Sequence, residues 1–197
     1  MARDVVVIVG SLRRDSFTRK FARAVAGLAP TSLVFDFVEI GALPMYNADL
    51  ETDSPPHEWV AFRERIRRCD AVLFATPEHN RSVPAALKNA IDIGSRPTGK
   101  GAWSGKPAAV LSVSPGAIGA FGANHHLRQM LVFLNMPTLQ QPEAYVGGAA
   151  KLINEQAEII NEGTKEFLTK FASAFERWIE LIAPAEVRTY PRRPTLM

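Results

Sequence analysis

Val5-Val6-Val7-Ile8-Val9 is an unbroken run of β-branched residues. Such side chains are stiff and favour strands. A strand that is apolar at every position, not every second one, must be covered on both faces. That is the signature of a parallel sheet held between two layers of helices. Similar apolar runs recur in "SLVFDFVEI", "AVLFAT", "PAAVLSVS" and, more briefly, within "PTLQQPEAYV".

The segments between these runs have helical period. Phe17–Leu28 places Phe17, Phe21, Ala24, Val25 and Leu28 on one face, and Glu58–Arg68 does the same with Trp59, Phe62 and Ile66. "VPAALKNAIDI" carries Pro84 near its first turn, where a missing N–H does no harm. "HHLRQMLVFLN" is a fourth helix, and Glu162–Ile182 a fifth, with Phe167, Phe171, Phe175, Trp178 and Ile182 at spacings of three and four. Five strand–helix units predict an α/β fold with a doubly wound five-stranded parallel sheet, order 2-1-3-4-5, and helices on both faces. One domain is expected over residues 1–184, followed by a Pro/Arg-containing C-terminal tail at 185–197.

Ligands of open α/β sheets bind beyond the carboxyl ends of the strands, at the switch point of strand order. The loops after strands one, three and four should therefore meet. They are also the three unusual loops of the chain: "GSLRRDSFT", "PEHNRS" and "SPGAIGAFG". The first lacks both glycine fingerprints for phosphate, Gly-x-Gly-x-x-Gly and Gly-x4-Gly-Lys-Ser/Thr. What it offers instead is hydroxyls at the start of a helix, whose free N–H groups favour anions. Ser11, Ser16 and Thr18 can donate to phosphate oxygens and Arg13 can add a charge-assisted contact; Ser16 can equally cap its helix. In the second loop, Pro77 and the polar run Glu78–Ser82 interrupt a plain strand-to-helix connection. An extended turn there presents backbone groups to the edge of a planar ligand, with Ser82 alternatively an N-cap. The third supplies small residues that let backbone approach a flat ring. Phosphate cradle, edge reader and glycine-lined wall describe a mononucleotide such as FMN.

Other chemistries find little support. The formal net charge is only +3, from 23 basic and 20 acidic residues, without the dense basic face of a nucleic-acid binder. No apolar run approaches the roughly 20 residues that span a bilayer. The N-terminus lacks a secretory pattern, and the single cysteine, Cys69, excludes an intrachain disulfide and suits a reducing cytoplasm. Cys69 is expected to be inert and partly buried. His125 and His126 are adjacent and diverge on a helix, while His57 and His79 stand apart, so no metal centre is expected. There is no Gly-x-Ser-x-Gly elbow. "GSRPTGKG" follows a helix, not a strand, and lacks a magnesium-binding hydroxyl.

The segments "GSLRRDSFTRKFA", "LPMYNADLE", "TPEHNRSVPAALKNAID", "SRP", "GKPAAVLSVSPGAIG", "HLRQMLVFLNM" and "PEAYVGG" resemble, in order, the bacterial NADPH-dependent FMN reductases, in the branch with chromate and quinone reductases. The resemblance implies a flavodoxin-like fold, bound FMN, NADPH or NADH as co-substrate, and a homodimer or homotetramer. It also implies ping-pong transfer of electrons to quinones, flavins, chromate, ferric complexes or similar small-molecule acceptors. By motif, the phosphate contacts fall on Ser11, Arg13, Ser16 and Thr18, with Phe17 in the same turn. Ring and ribityl contacts fall on Pro77, Glu78, His79, Asn80, Arg81 and Ser82, and the wall on Ser114, Pro115, Gly116 and Gly119. Arg81 is the candidate for orienting an anionic substrate group. Relatives commonly have asparagine at Thr18 and tyrosine at His79 and His125. The alternative reading is a flavodoxin-type electron carrier or FMN-binding module without turnover; such carriers are strongly acidic, unlike this chain.

Overall fold

The computed structural model describes residues 2–154, 156 and 158–183; the expected tail at 185–197 lies outside them. Strand β1 (Arg3–Val9) is followed by α1 (Phe17–Leu28), β2 (Leu33–Val38), α2 (His57–Arg68), β3 (Ala71–Thr76) and α3 (Ala85–Gly94). Then come β4 (Ala108–Val113), α4 (Phe121–Phe133), β5 (Ala144–Val146) and α5 (Glu162–Ile182). The strands pair in parallel in the order β2-β1-β3-β4-β5. This is the flavodoxin-like sheet expected from the apolar runs.

Successive strand residues point to opposite faces, and the two faces bury separate cores. Val5, Val7 and Val9 pack with Phe21, Val25, Phe171 and Phe175 of α1 and α5. Val6 and Ile8 pack with Trp59, Ile66, Leu87 and Leu127 of α2, α3 and α4. Cys69 belongs to the second core, buried more fully than expected, and that burial pushes its thiol pKa up, which disfavours the reactive thiolate.

Boundaries differ from expectation at α4, which starts at Phe121, four residues before the "HHLRQ" segment. A glycine and small residues there would not suggest a helix. Its amide groups are instead capped from outside, by a carboxylate described below. At the other end of the sheet, the buried Arg3 guanidinium forms two hydrogen bonds of 2.6 Å to the Glu180 carboxylate, tying β1 to α5. That donation holds the Glu180 pKa below its ordinary 4.5. A carboxylate depressed in the folded state stabilises above its unfolded pKa, and the effect is lost as pH falls through the folded value. Glu180→Ala should therefore cost about 1 kcal/mol at neutral pH, given that Glu180 is half exposed. The difference from wild type should shrink in urea titrations as pH drops below 4.5.

Candidate cofactor site

The loop leaving β1 turns at Gly10, where a side chain would crowd its neighbours. A Cβ would lie 3.1 Å from Leu87 and 3.5 Å from Pro77, so the first loop is pressed against the second. Ser16 then caps α1, its Oγ accepting from the Arg19 amide at 3.2 Å. The first turn of α1 leaves the Phe17 and Thr18 N–H groups without intrahelical acceptors. Ser11 and Thr18 are buried, yet their hydroxyls bond to no other group among the described residues. Since no fully buried side-chain polar atom lacks a partner there, these hydroxyls are the ones that open onto a cavity.

That cavity is about 160 Å³ and lies where the three loops meet. Ser11, Arg13, Ser16, Phe17 and Thr18 line it from the first, Pro77, Glu78 and His79 from the second, and Ser114 and Pro115 from the third. Val113, the last residue of β4, also lines it. It had not been anticipated, because a terminal strand valine looks like any other core residue. Ligand pockets usually run to about 300–1,000 Å³, so this one encloses only part of a nucleotide. Its donors would hold a phosphate group. Arg13 is exposed at the mouth and makes no ion pair among the described residues. Free hydroxyls, free helix amides and an uncommitted guanidinium are the donor set a phosphate monoester needs, so the residues present fit FMN.

The second loop closes as a tight turn. His79 and Ser82 exchange both backbone hydrogen bonds at 2.9 Å, and Asn80 and Arg81 adopt φ of 51° and 63°. Two successive non-glycine residues in the left-handed region are strained, a condition that concentrates at ligand clamps. Because His79 and Ser82 satisfy each other, the peptide groups of Asn80 and Arg81 remain at the tip. Ser82 does not cap α3, whose N-cap is Pro84. Proline fixes that entry, and the Ser82 hydroxyl instead bonds His126 Nδ1 at 3.0 Å. Arg81 is exposed, 3.4 Å from Glu78 Oε1.

Glu78 was expected beside the ring. Its Oε2 accepts the Ala123 amide of α4 at 3.0 Å, placing a negative charge at a helix N-terminus where it is favoured. The contact joins the second loop to the element following the third. Only contact between distant segments reveals it. The third loop is braced from below. Ser114 Oγ accepts the Gly116 amide at 2.9 Å, and the Gly148 amide donates to Gly116 O at 3.1 Å. Gly119, with φ of 60°, packs so close to β5 that a Cβ would lie 2.8 Å from Tyr145 C. It and the exposed Gly116 frame the loop outside the cavity. Behind them, Ser112 Oγ donates to Gly119 O at 2.7 Å, and Asn124 Nδ2 to Ser112 Oγ at 3.1 Å. His125 Nε2 lies 3.1 Å from the Tyr145 hydroxyl. Among the described residues, no cluster of three or more His, Cys, Asp or Glu side chains could hold a metal, and no helix is long and apolar enough to cross a membrane.

Sheet order defines a flavodoxin-like protein, and the converging loops give it a candidate mononucleotide site. Comparison with known proteins narrows the class: the profile of the NADPH-dependent FMN reductases matches residues 3–151. A quinone reductase of Pseudomonas putida is 62% identical over 177 residues, covering 90% of this chain and 95% of that protein. A 2-hydroxy-1,4-benzoquinone reductase of Burkholderia sp is 43% identical over 179 residues, 91% of this chain and 97% of its own. Among solved structures, the flavoenzyme NAD(P)H:(acceptor) oxidoreductase FerB of Paracoccus denitrificans superposes with a TM-score of 0.86. It is 42% identical, and the match covers 92% of this chain and 99% of that one. The chain belongs to the NADPH-dependent FMN reductase family and is an oxidoreductase, a flavoenzyme whose family works with FMN and reduced nicotinamide. The resemblance carried by its loop motifs is borne out.

Glu78→Ala should leave the Ala123 amide uncapped and cost about 0.5–2 kcal/mol. Native-state hydrogen exchange would register it as faster exchange at Ala123, with the amides of β1 unchanged.

Proposed function

We propose that the protein is an NAD(P)H-dependent quinone reductase with bound FMN, and that it works by a ping-pong cycle in which nicotinamide and acceptor use one open site in turn. The observation that carries this is the cradle: two free hydroxyls, free α1 amides and Arg13 around a cavity sized for a phosphate and its polyol. Bound FMN supplies hydride acceptance and onward electron transfer. The protein's own residues hold and orient. Ser11, Ser16, Thr18, the Phe17 turn and Arg13 anchor the phosphate. Pro77 and the strained Asn80–Arg81 tip present peptide groups to a ring edge, and Ser114 and Pro115 form the opposite wall. The carboxylate of Glu78 keeps the turn and α4 in register. Exposed Arg81 meets an anionic group of nicotinamide nucleotide or acceptor. His79 lines the cavity beside Pro77 and Glu78.

Nothing in the loops narrows such a rim to one oxidant, so flavins, chromate, ferric complexes and nitro or azo compounds belong with quinones in the acceptor class. The chain acts as a homodimer or homotetramer in this reading, supported by exposed apolar side chains along α4. Phe133 is 87% exposed, Val132 76% and Phe121 50%. A cytoplasmic setting suits its one cysteine, a free buried thiol.

Purified protein should carry yellow flavin and oxidise NADPH with menadione, giving parallel double-reciprocal lines when both substrates are varied. Absence of turnover by flavin-loaded protein would return it to the electron-carrier class. Arg13→Ala should weaken FMN binding roughly 10- to 150-fold, the equivalent of about 1.5–3 kcal/mol for a charge-assisted hydrogen bond. Unchanged affinity by fluorescence titration would remove Arg13 from the cradle.

A further inference from the structure

Beside the cradle lies a groove of about 710 Å³, and the two share Ser16. One wall is a single face of α1, since Ser16, Arg19, Lys20, Arg23, Ala24 and Gly27 follow helical spacing. The opposite wall includes Lys165 of α5 and Ile159. From Ser16 to Leu28 the groove runs roughly 18 Å at about 1.5 Å per residue.

Its charges are not simply a solvated helix face. Arg19 is committed to Glu39 at 2.6 and 2.8 Å, and Lys20 to Asp15. Arg14, Arg23 and Lys165 line the same groove with no ion pair among the described residues. Among the described residues one acid, Glu158, lines the groove, and it already accepts from Asn154 Nδ2 at 2.8 Å. Beyond the cations the floor turns apolar, with Ala24, Leu28 and Ile159 half-buried. At Gly27 even an added Cβ would meet nothing within 4 Å. A bare anion needs no such floor, and a purely apolar ligand no such cations. Along α1 the order is Ser16 at the phosphate end, then Arg19, Lys20 and Arg23, then Ala24, Gly27 and Leu28, with the Glu158 carboxylate also in the lining.

We propose that this groove is a subsite for the adenosine diphosphate group of a dinucleotide, entered from the phosphate end of the cradle. Two sources carry that group, FAD and NAD(P)H. The inference rests on the flavin reading above and extends it, because it assigns a second nucleotide region to residues outside the cradle.

Isothermal titration of flavin-loaded protein with ADP, and separately with inorganic pyrophosphate and adenosine, tests it. ADP should bind at one saturable site, at least about tenfold tighter than either fragment. Arg23→Glu combined with Lys165→Glu should weaken ADP by about tenfold or more. Gly27→Trp, which fills the recess at an open helical position, should abolish ADP binding. Flavin absorbance and thermal midpoint should stay as in wild type. Because the charge and filling variants act independently, misfolding of one leaves the other decisive. No ADP binding at millimolar concentration, equal binding of pyrophosphate, or affinity unmoved by both variants would overturn the proposal. To separate the sources, wild type and Gly27→Trp are equilibrated with excess FAD and the bound flavin is identified. Loss of FAD but not FMN in the variant assigns the groove to FAD. A raised KM for NADPH with kcat unchanged assigns it to the pyridine nucleotide. ADP binding with neither effect would overturn the dinucleotide assignment. Protein that neither contains nor rebinds FMN would refute the flavin reading itself, whereas FMN-loaded protein that ignores ADP refutes only this one.

Discussion

A parallel strand paired along both edges and covered on both faces has nothing left to expose but its ends, and β1 is in that position. It pairs with β2 on one side and β3 on the other, and all of its residues from Val5 to Ile8 are fully buried. The chemistry must therefore sit on what leaves its carboxyl end. Because β3 is its neighbour and β4 the next strand over, three loops emerge side by side. The cradle, the strained turn and the braced third loop all follow from that neighbourhood.

Each loop is held by a different device. The first is pressed against Leu87 and Pro77 at a glycine where a Cβ would be crowded. The second closes on itself through His79 and Ser82, and Glu78 pins it to α4. The third hangs from β5 through Gly116, Gly119 and the Ser112–Asn124 pair. Such bracing is preorganisation: for a nucleotide bound there as proposed, less ordering entropy would oppose binding.

The distribution of cations follows the same economy. Buried Arg3, Arg63 and Lys106 are bound to carboxylates or carbonyl oxygens and serve the fold. Arg13, Arg14 and Arg23, which make no ion pair among the described residues, lie at the amino end of α1 and along its outer face, and at that end the helix dipole also favours anions. A net charge of only +3 conceals this concentration.

Sheet order, the ends of α1 and α5, and all six residues of β3 were legible in the sequence, because burial on both faces leaves a pattern that few other folds tolerate. The loops that meet at the cradle were legible too, since strand order alone brings them together. The start of α4 was not, because it depends on a cap from Glu78, 45 residues away. Nor was the use of Ser82, whose hydroxyl turns to His126 once Pro84 fixes the entry to α3. The groove beside the cradle needed the packing of α1 against the segment before α5, which no local spacing encodes. Periodicity records which side of an element is buried, and so the chain alone determined layers, order and the place of the site. Which donor meets which acceptor across sequence-distant loops is decided by distance in space, and only the tertiary structure sets that.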